Sequence, residues 1–162
     1  MTIFEEKEFF EVMNGAVSRE ELLRKAPKEL VKLITGKDLI ILPSHGTSDA
    51  FYTGTLDTLD YFNAHSIDAE IYSTDNDYKE LSLHAADFWL GSFFVGSVLV
   101  PLVCNLISSY IYDKLKAKEE DNVSLEIIIE KKDGSTVSLD FKGKVGALDK
   151  ILDAARRIER EV

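Results

Sequence analysis

Phe88-Trp89-Leu90-Gly91-Ser92-Phe93-Phe94-Val95-Gly96-Ser97-Val98-Leu99-Val100-Pro101-Leu102-Val103-Cys104-Asn105-Leu106-Ile107-Ser108-Ser109-Tyr110-Ile111-Tyr112 is a run of 25 residues without a formal charge, and its reading decides the fold. As one helix it is roughly 37 Å long, against a hydrocarbon core of about 30 Å, so a single membrane span is permitted. Gly91, Gly96 and Pro101 do not oppose it, since membrane helices tolerate both residue types. The flank does oppose it. Lys114, Lys116 and Lys118 follow directly, and basic residues hold their end of a span in the cytoplasm, so the preceding 87 residues would have to cross without a signal. Ser97, Pro101, Asn105, Ser108 and Tyr112 recur at intervals of four, four, three and four, forming one small or polar stripe on an otherwise apolar helix. The spacing predicts a buried connecting helix over 88–118, kinked or split at Pro101. Ser97, Asn105, Ser108 and Tyr112 on its stripe are candidate interaction residues, and a membrane-associated span is the alternative.

Beyond the charged break at 113–121, Val123, Leu125, Ile127 and Ile129 alternate with polar or outward positions. Asp133-Gly134 supplies a turn, and Val137, Leu139 and Phe141 alternate again, which predicts an antiparallel hairpin over 123–130 and 136–142. Leu148, Ile151, Leu152, Ala155 and Ile158 then recur at helical spacing and close a ββα lobe over 119–162.

Upstream, Phe9, Phe10 and Met13 ending at Asn14-Gly15 predict a short helix. Ser18 with Glu21 fits a capping box before Leu22 and Leu23. Pro27 suits the start of a further helix carrying Leu30, Val31, Leu33 and Ile34, stopped by Gly36. Leu39-Ile40-Ile41-Leu42 is short and continuously apolar, the pattern of a strand buried on both faces. Leu56, Leu59 and Phe62 at helical spacing, followed by alternating Ile67, Ala69 and Ile71, complete a βαβ unit. The stretch 78–84 suits either a strand or a helix start. The expected fold is therefore α/β: N-terminal helices, a short mostly parallel sheet near 38–73, a long central apolar helix or helix pair, and the ββα unit. Residues 1–87 hold 17 acids and 8 bases, whereas 113–162 hold 12 and 11. The negative charge thus belongs to an acidic α/β lobe over 1–87, unless all three segments join in one domain.

The 162 residues are one ordinary domain's worth, and 45% hydrophobic content suffices for a core. A net charge of -10 opposes coverage of nucleic-acid phosphate, so no nucleic-acid partner is expected. The single Cys104 excludes an intramolecular disulfide and multi-thiolate metal sites. The N-terminus lacks the basic start and apolar run of a secretory signal, which predicts a cytoplasmic setting.

The loop Ser44-His45-Gly46-Thr47-Ser48-Asp49 carries the one candidate site for chemistry. It follows a buried strand, where open α/β sheets bind ligands. On that reading backbone N–H groups with Ser44, Gly46, Thr47 and Ser48 hold an anion, His45 acts as general base and Asp49 orients it, as in a small hydrolase or nucleotide-binding protein. On the plainer reading Ser48 or Asp49 caps the next helix. No G-x-S-x-G elbow, Walker A pattern or G-x-G-x-x-G accompanies the loop. His45, His65 and His84 lack ligand spacing, Asp75-Asn76-Asp77 lacks the later Gly and Glu of an EF-hand, and Cys104 sits among apolar residues. Neither a cofactor nor a metal is expected.

From Ile67 onward, the apolar segment 88–112, the hairpin around Asp133-Gly134 and the amphipathic helix 148–158 resemble effector-associated constant components of bacterial conflict systems. That resemblance covers somewhat more than half the chain and implies a small non-enzymatic module serving a separate effector, in antiphage immunity. The extra N-terminal helices and the Ser44-His45-Gly46 loop depart from it. With no catalytic motif, an apolar helix surface and a hairpin able to offer an edge strand, the chain is expected to be an accessory subunit that binds a protein partner or itself.

Overall fold

A computed structural model of the chain describes residues 9–44, 49–81 and 88–160. In chain order these form β1 (Phe9–Asn14), α1 (Arg19–Lys25), α2 (Lys28–Ile34), β2 (Leu39–Leu42), β3 (Phe51–Tyr52), α3 (Thr55–Ala64), β4 (Ala69–Ile71), β5 (Glu80–Leu81), β6 (Phe88–Gly96), α4 (Val100–Ser109), β7 (Asn122–Glu130), β8 (Thr136–Lys144) and α5 (Leu148–Arg160). Six strands make one sheet in the order β1-β8-β7-β6-β2-β4, and β3 pairs with β5 in a separate ribbon. The large sheet draws strands from 1–87, from the apolar run and from 119–162 alike.

The α/β class stands, while two finer expectations are corrected. The sheet is mixed rather than mostly parallel: β2 with β4 and β6 with β7 run parallel, and the β1–β8, β8–β7 and β6–β2 pairs run antiparallel. The long apolar helix over 88–118 is instead β6, a 3-10 turn at Ser97–Leu99, α4, and a π-helical turn at Tyr110–Lys114. The reason is that β6 is covered on both faces. Leu90, Phe93 and Val95 pack into the core shared with α3, α4 and α5, and Phe94 packs into the core shared with α1 and α2. A strand dry on both faces shows no alternation, so its residues run without a polar break into those of a buried helix. Pro101 falls in the first turn of α4, where its missing N–H has no partner to lose. Among the described residues no helix is long and apolar enough to cross a membrane.

The predicted helix over Phe9–Met13 is also corrected, since these residues are strand β1 on the sheet edge. One or two turns of helical spacing are also met by a short apolar strand, and the ladder with β8 supplies the hydrogen bonds a marginal helix lacks. Ser18 does cap α1, its Oγ accepting from the Glu21 N–H at 3.2 Å and donating to the Glu21 carboxylate at 3.4 Å. β2 is buried at all four positions and pairs with β4 across α3. At 80–81 the ambiguous stretch is strand, while 82–87, with His84, lie outside the described residues.

The hairpin β7–β8 and helix α5 form where expected. At its turn Asp133 accepts from the Ser135 N–H at 2.9 Å and from its hydroxyl, which holds the carboxyl below its usual range, and Gly134 takes φ +87°. Gly91 sits where the β6–β7 register shifts, at φ +123°, a conformation side chains resist.

Candidate functional site

Because residues 45–48 lie outside the described structure, the loop proposed for chemistry is seen only at its two ends. His45, Gly46, Thr47 and Ser48 therefore have no placement. Ser44 is fully buried at the end of β2, its N–H donating to the Ala50 carbonyl at 2.9 Å and its Oγ accepting from the Tyr52 N–H at 3.0 Å. Asp49 is exposed and pairs with Lys79 at 2.7 Å. The expectation that Asp49 or Ser48 caps the following helix is corrected. β3 intervenes, and α3 starts after Gly54, which holds φ +100°. Phe51-Tyr52 finds parallel partners on β5, 29 residues downstream in register, a pairing that local spacing does not announce.

A cleft of about 300 Å³ does open beside the carboxyl ends of the parallel strands β2 and β4, between Pro43, Asp49, Tyr72, Thr74, Asp77 and Lys79. Its polar groups bind one another: Lys79 with Asp49, the Thr74 hydroxyl with Asp77 at 3.0 Å, and the Tyr72 hydroxyl with the Leu22 carbonyl. The Asp49 hydrogen bond holds the Lys79 ammonium above its usual range. These contacts position the chain. Among the described residues the Thr74 hydroxyl and the Lys79 ammonium are each held by a carboxylate.

A second cleft, of about 500 Å³, lies between α3 and the π-helical turn, lined by Asp57, Asp60, Tyr61, His65, Tyr110 and Lys114. The Tyr61 ring meets His65 at 4.2 Å and the edge of Tyr110 at 5.1 Å. His65 Nδ1 lies 2.7 Å from the Tyr61 carbonyl, which only accepts, so the proton resides on Nδ1. Burial pushes the Tyr110 phenol up. Tyr61 thus packs against both other rings in the lining of this cleft. Among the described residues no three His, Cys, Asp or Glu side chains are placed to hold a metal.

Of the predicted interaction stripe, Ser97 leaves the helix for the 3-10 turn, while Asn105, Ser108 and Tyr112 stay on the less buried side of α4 and its π-helical turn. Ser97 is buried in the 3-10 turn, Asn105 is exposed and accepts from Arg156 at 2.8 Å, Ser108 is half-buried, and the Tyr112 hydroxyl donates to the Val145 carbonyl at 3.4 Å. Nor does the D-G hairpin offer an edge, because β6 flanks β7 and β1 flanks β8.

Among the described residues the sheet's two edges are β1 and β4, and the exposed one is β1. All six of its residues are exposed, and four are large and apolar: Phe9 46%, Phe10 42%, Val12 50% and Met13 54%. Other exposed large hydrophobics, such as Leu33, Leu56 and Val98, are spread singly along the chain. Facing pairs in the β1–β8 ladder share a side of the sheet. Phe10, opposite Phe141, and Val12, opposite Leu139, therefore continue the face that α5 covers over β8, whereas Phe9 and Met13 point to the other side. Sequence reading missed this strand. The available signal was Phe, Phe, Val and Met in a run too short for a stable helix and stopped by Gly15.

No protein-family model, curated protein or solved structure matches the chain.

Cys104 is fully buried in α4, its Sγ 3.9 Å from the Leu152 carbonyl, and burial pushes the thiol up to about 11. At pH 8 about 0.1% would be thiolate. Ellman's reagent is expected to leave Cys104 unmodified in the native protein and to label it fully in denaturant. Labelling of the native protein at the rate of a free thiol would show that α4 does not pack on α5.

Proposed function

We propose that the chain is a non-enzymatic protein-interaction module, an accessory subunit of a larger bacterial complex acting in antiphage defence, and that it docks through strand β1. The observation that carries the docking role is the edge itself: a terminal strand of a six-stranded sheet with four exposed large apolar side chains, two on each face. Natural sheets guard such edges with charge, Pro or a covering element, because unpaired backbone groups recruit another strand. β1 carries one charge, Glu11, and no Pro. Strand addition supplies backbone hydrogen bonds, and the flanking apolar residues supply specificity. The defence setting rests on the sequence resemblance from Ile67 onward alone, in which residues 88–96 are strand β6 and not helix.

A photo-reactive benzoylphenylalanine in place of Phe10, expressed in the native host, is expected to yield covalent adducts that disappear when Val12→Pro is added. The same probe at Leu33, an exposed position on α2, serves as the control. Equal labelling from positions 10 and 33, or labelling indifferent to Val12→Pro, would overturn the docking role of β1.

A further inference from the structure

We infer that β1 pairs antiparallel with β1 of a second copy about a two-fold axis through Val12, joining the two sheets edge to edge; this rests on β1 being the docking strand. The backbone phase sets the geometry. Gly15 N–H donates to the Thr136 carbonyl at 3.0 Å, and the register that sets Asn14 opposite Val137 sets Gly15 opposite Thr136. Directly opposed residues that exchange hydrogen bonds alternate along an antiparallel ladder with residues that do not. Phe9, Glu11 and Met13 therefore turn their N–H and C=O toward β8, and Phe10, Val12 and Asn14 turn theirs to the open edge.

A two-fold axis normal to the sheet keeps each face continuous and pairs even positions with even ones. Centred on Val12, it sets Val12 against Val12 of the second copy, Phe10 against its Asn14 and Glu11 against its Met13. All the outward groups of 10, 12 and 14 are then engaged. Moving the axis to Glu11 would put two carboxylates directly opposite each other, which is unfavourable. The Val12 register avoids that opposition. It also lines up Phe10 and Val12 of both copies as one apolar strip on the α5 face, with the two α5 helices flanking it.

The exposed parts of Phe9, Phe10, Val12 and Met13 amount to roughly 300 Å² per copy, taking about 200 Å² for a whole aromatic side chain. With the backbone edge, the two copies bury on the order of 1,000 Å², the lower limit for a specific interface. The assembly is accordingly a reversible dimer with a micromolar dissociation constant. Its stability comes as much from the matched backbone groups as from apolar area.

Sedimentation velocity of the full chain at rising concentration is expected to show a monomer–dimer equilibrium. Val12→Pro, which removes an outward N–H at an edge position, and Val12→Lys should each raise the dissociation constant about tenfold or more while leaving the circular dichroism spectrum unchanged. Val12→Cys should form an intermolecular disulfide under mild oxidation, because facing residues of a ladder bring Cα atoms within disulfide range. Val98→Cys, at a site 72% exposed and outside β1, should not. A chain that stays monomeric at 100-fold the micromolar range, or a dimer that survives both Val12 variants, overturns the inference. If the purified chain is monomeric while the position-10 probe still captures a different protein in cells, the second copy is the wrong occupant and the docking role of β1 stands.

Discussion

Phe93→Ala is expected to destabilise the protein by about 3–5 kcal/mol, the cost of emptying an aromatic site in a close-packed core. Phe93 is fully buried in the middle of β6, facing Ile41 across the antiparallel ladder and Ile127 across the parallel one. Its ring meets the edge of Phe62 from α3 at 5.7 Å and 71°. The cavity would open between two flanking strands and a helix, none of which can close it alone. For a chain of this size the melting temperature should fall by about 6–20 °C. Val98→Asp, five residues on in the same uncharged run but on the open side of the 3-10 turn, should change stability by no more than about 0.5 kcal/mol. A single apolar helix would predict the reverse weighting, with a charge at 98 being the costly change. Urea unfolding followed by tryptophan fluorescence measures both, and a Phe93→Ala loss under 1 kcal/mol would remove β6 from the centre of the sheet.

Arg19→Met is expected to cost about 1–3 kcal/mol, more than an exposed helix residue should. Arg19 opens α1, where the helix dipole disfavours a cation. Its tertiary partners outweigh that. Nε donates to both carboxylate oxygens of Glu130 at 3.1 and 3.3 Å, Nη1 donates to the Lys37 carbonyl at 3.3 Å, and the guanidinium lies 5.2 Å from the centre of the Phe94 ring. One side chain thus ties α1 to the end of β7, to the α2–β2 connection and to a core aromatic. Both members of the ion pair are about a quarter exposed, so solvent screening trims the charge contribution and leaves the value below that of a fully buried pair. Glu130→Gln alone should cost less, because the amide oxygen still accepts. The Arg19→Met/Glu130→Met double variant should be more stable than the sum of the single losses by about 1 kcal/mol. Additive losses in that cycle would mean that Arg19 acts through Phe94 and Lys37 rather than through Glu130.

The elements legible from sequence are those whose partners lie close by or whose two faces differ. The β7–β8 hairpin shows both traits, with alternation on each strand and Asp133-Gly134 between them. The face of α5 formed by Leu148, Ile151, Leu152 and Ala155 is buried while Asp149 and Lys150 are exposed, and that contrast sets its period. Ser18 and Glu21 mark the start of α1 because their bonds span three residues. The two ends of the candidate loop were harder to read. Ser44 and Asp49 look alike as polar turn residues, yet one is buried under Tyr52 and the other is exposed and paired with Lys79, a separation set by β3, β5 and the contacts of residue 79.

Local periodicity and short-range bonds by themselves determined the α/β class, the β2–α3–β4 unit, the hairpin and the closing helix. Tertiary structure alone decided three further matters: that the uncharged run is a central strand followed by a helix, that Phe9–Asn14 is an edge strand and not a helix, and that the hairpin lies inside the sheet. Each depends on what covers a segment. Burial on both faces of β6 erases its polar alternation, and the partners that define β1 and enclose β7–β8 lie more than 100 residues away or across a parallel ladder. Sheet order is a property of packed neighbours, which no single window of the chain contains.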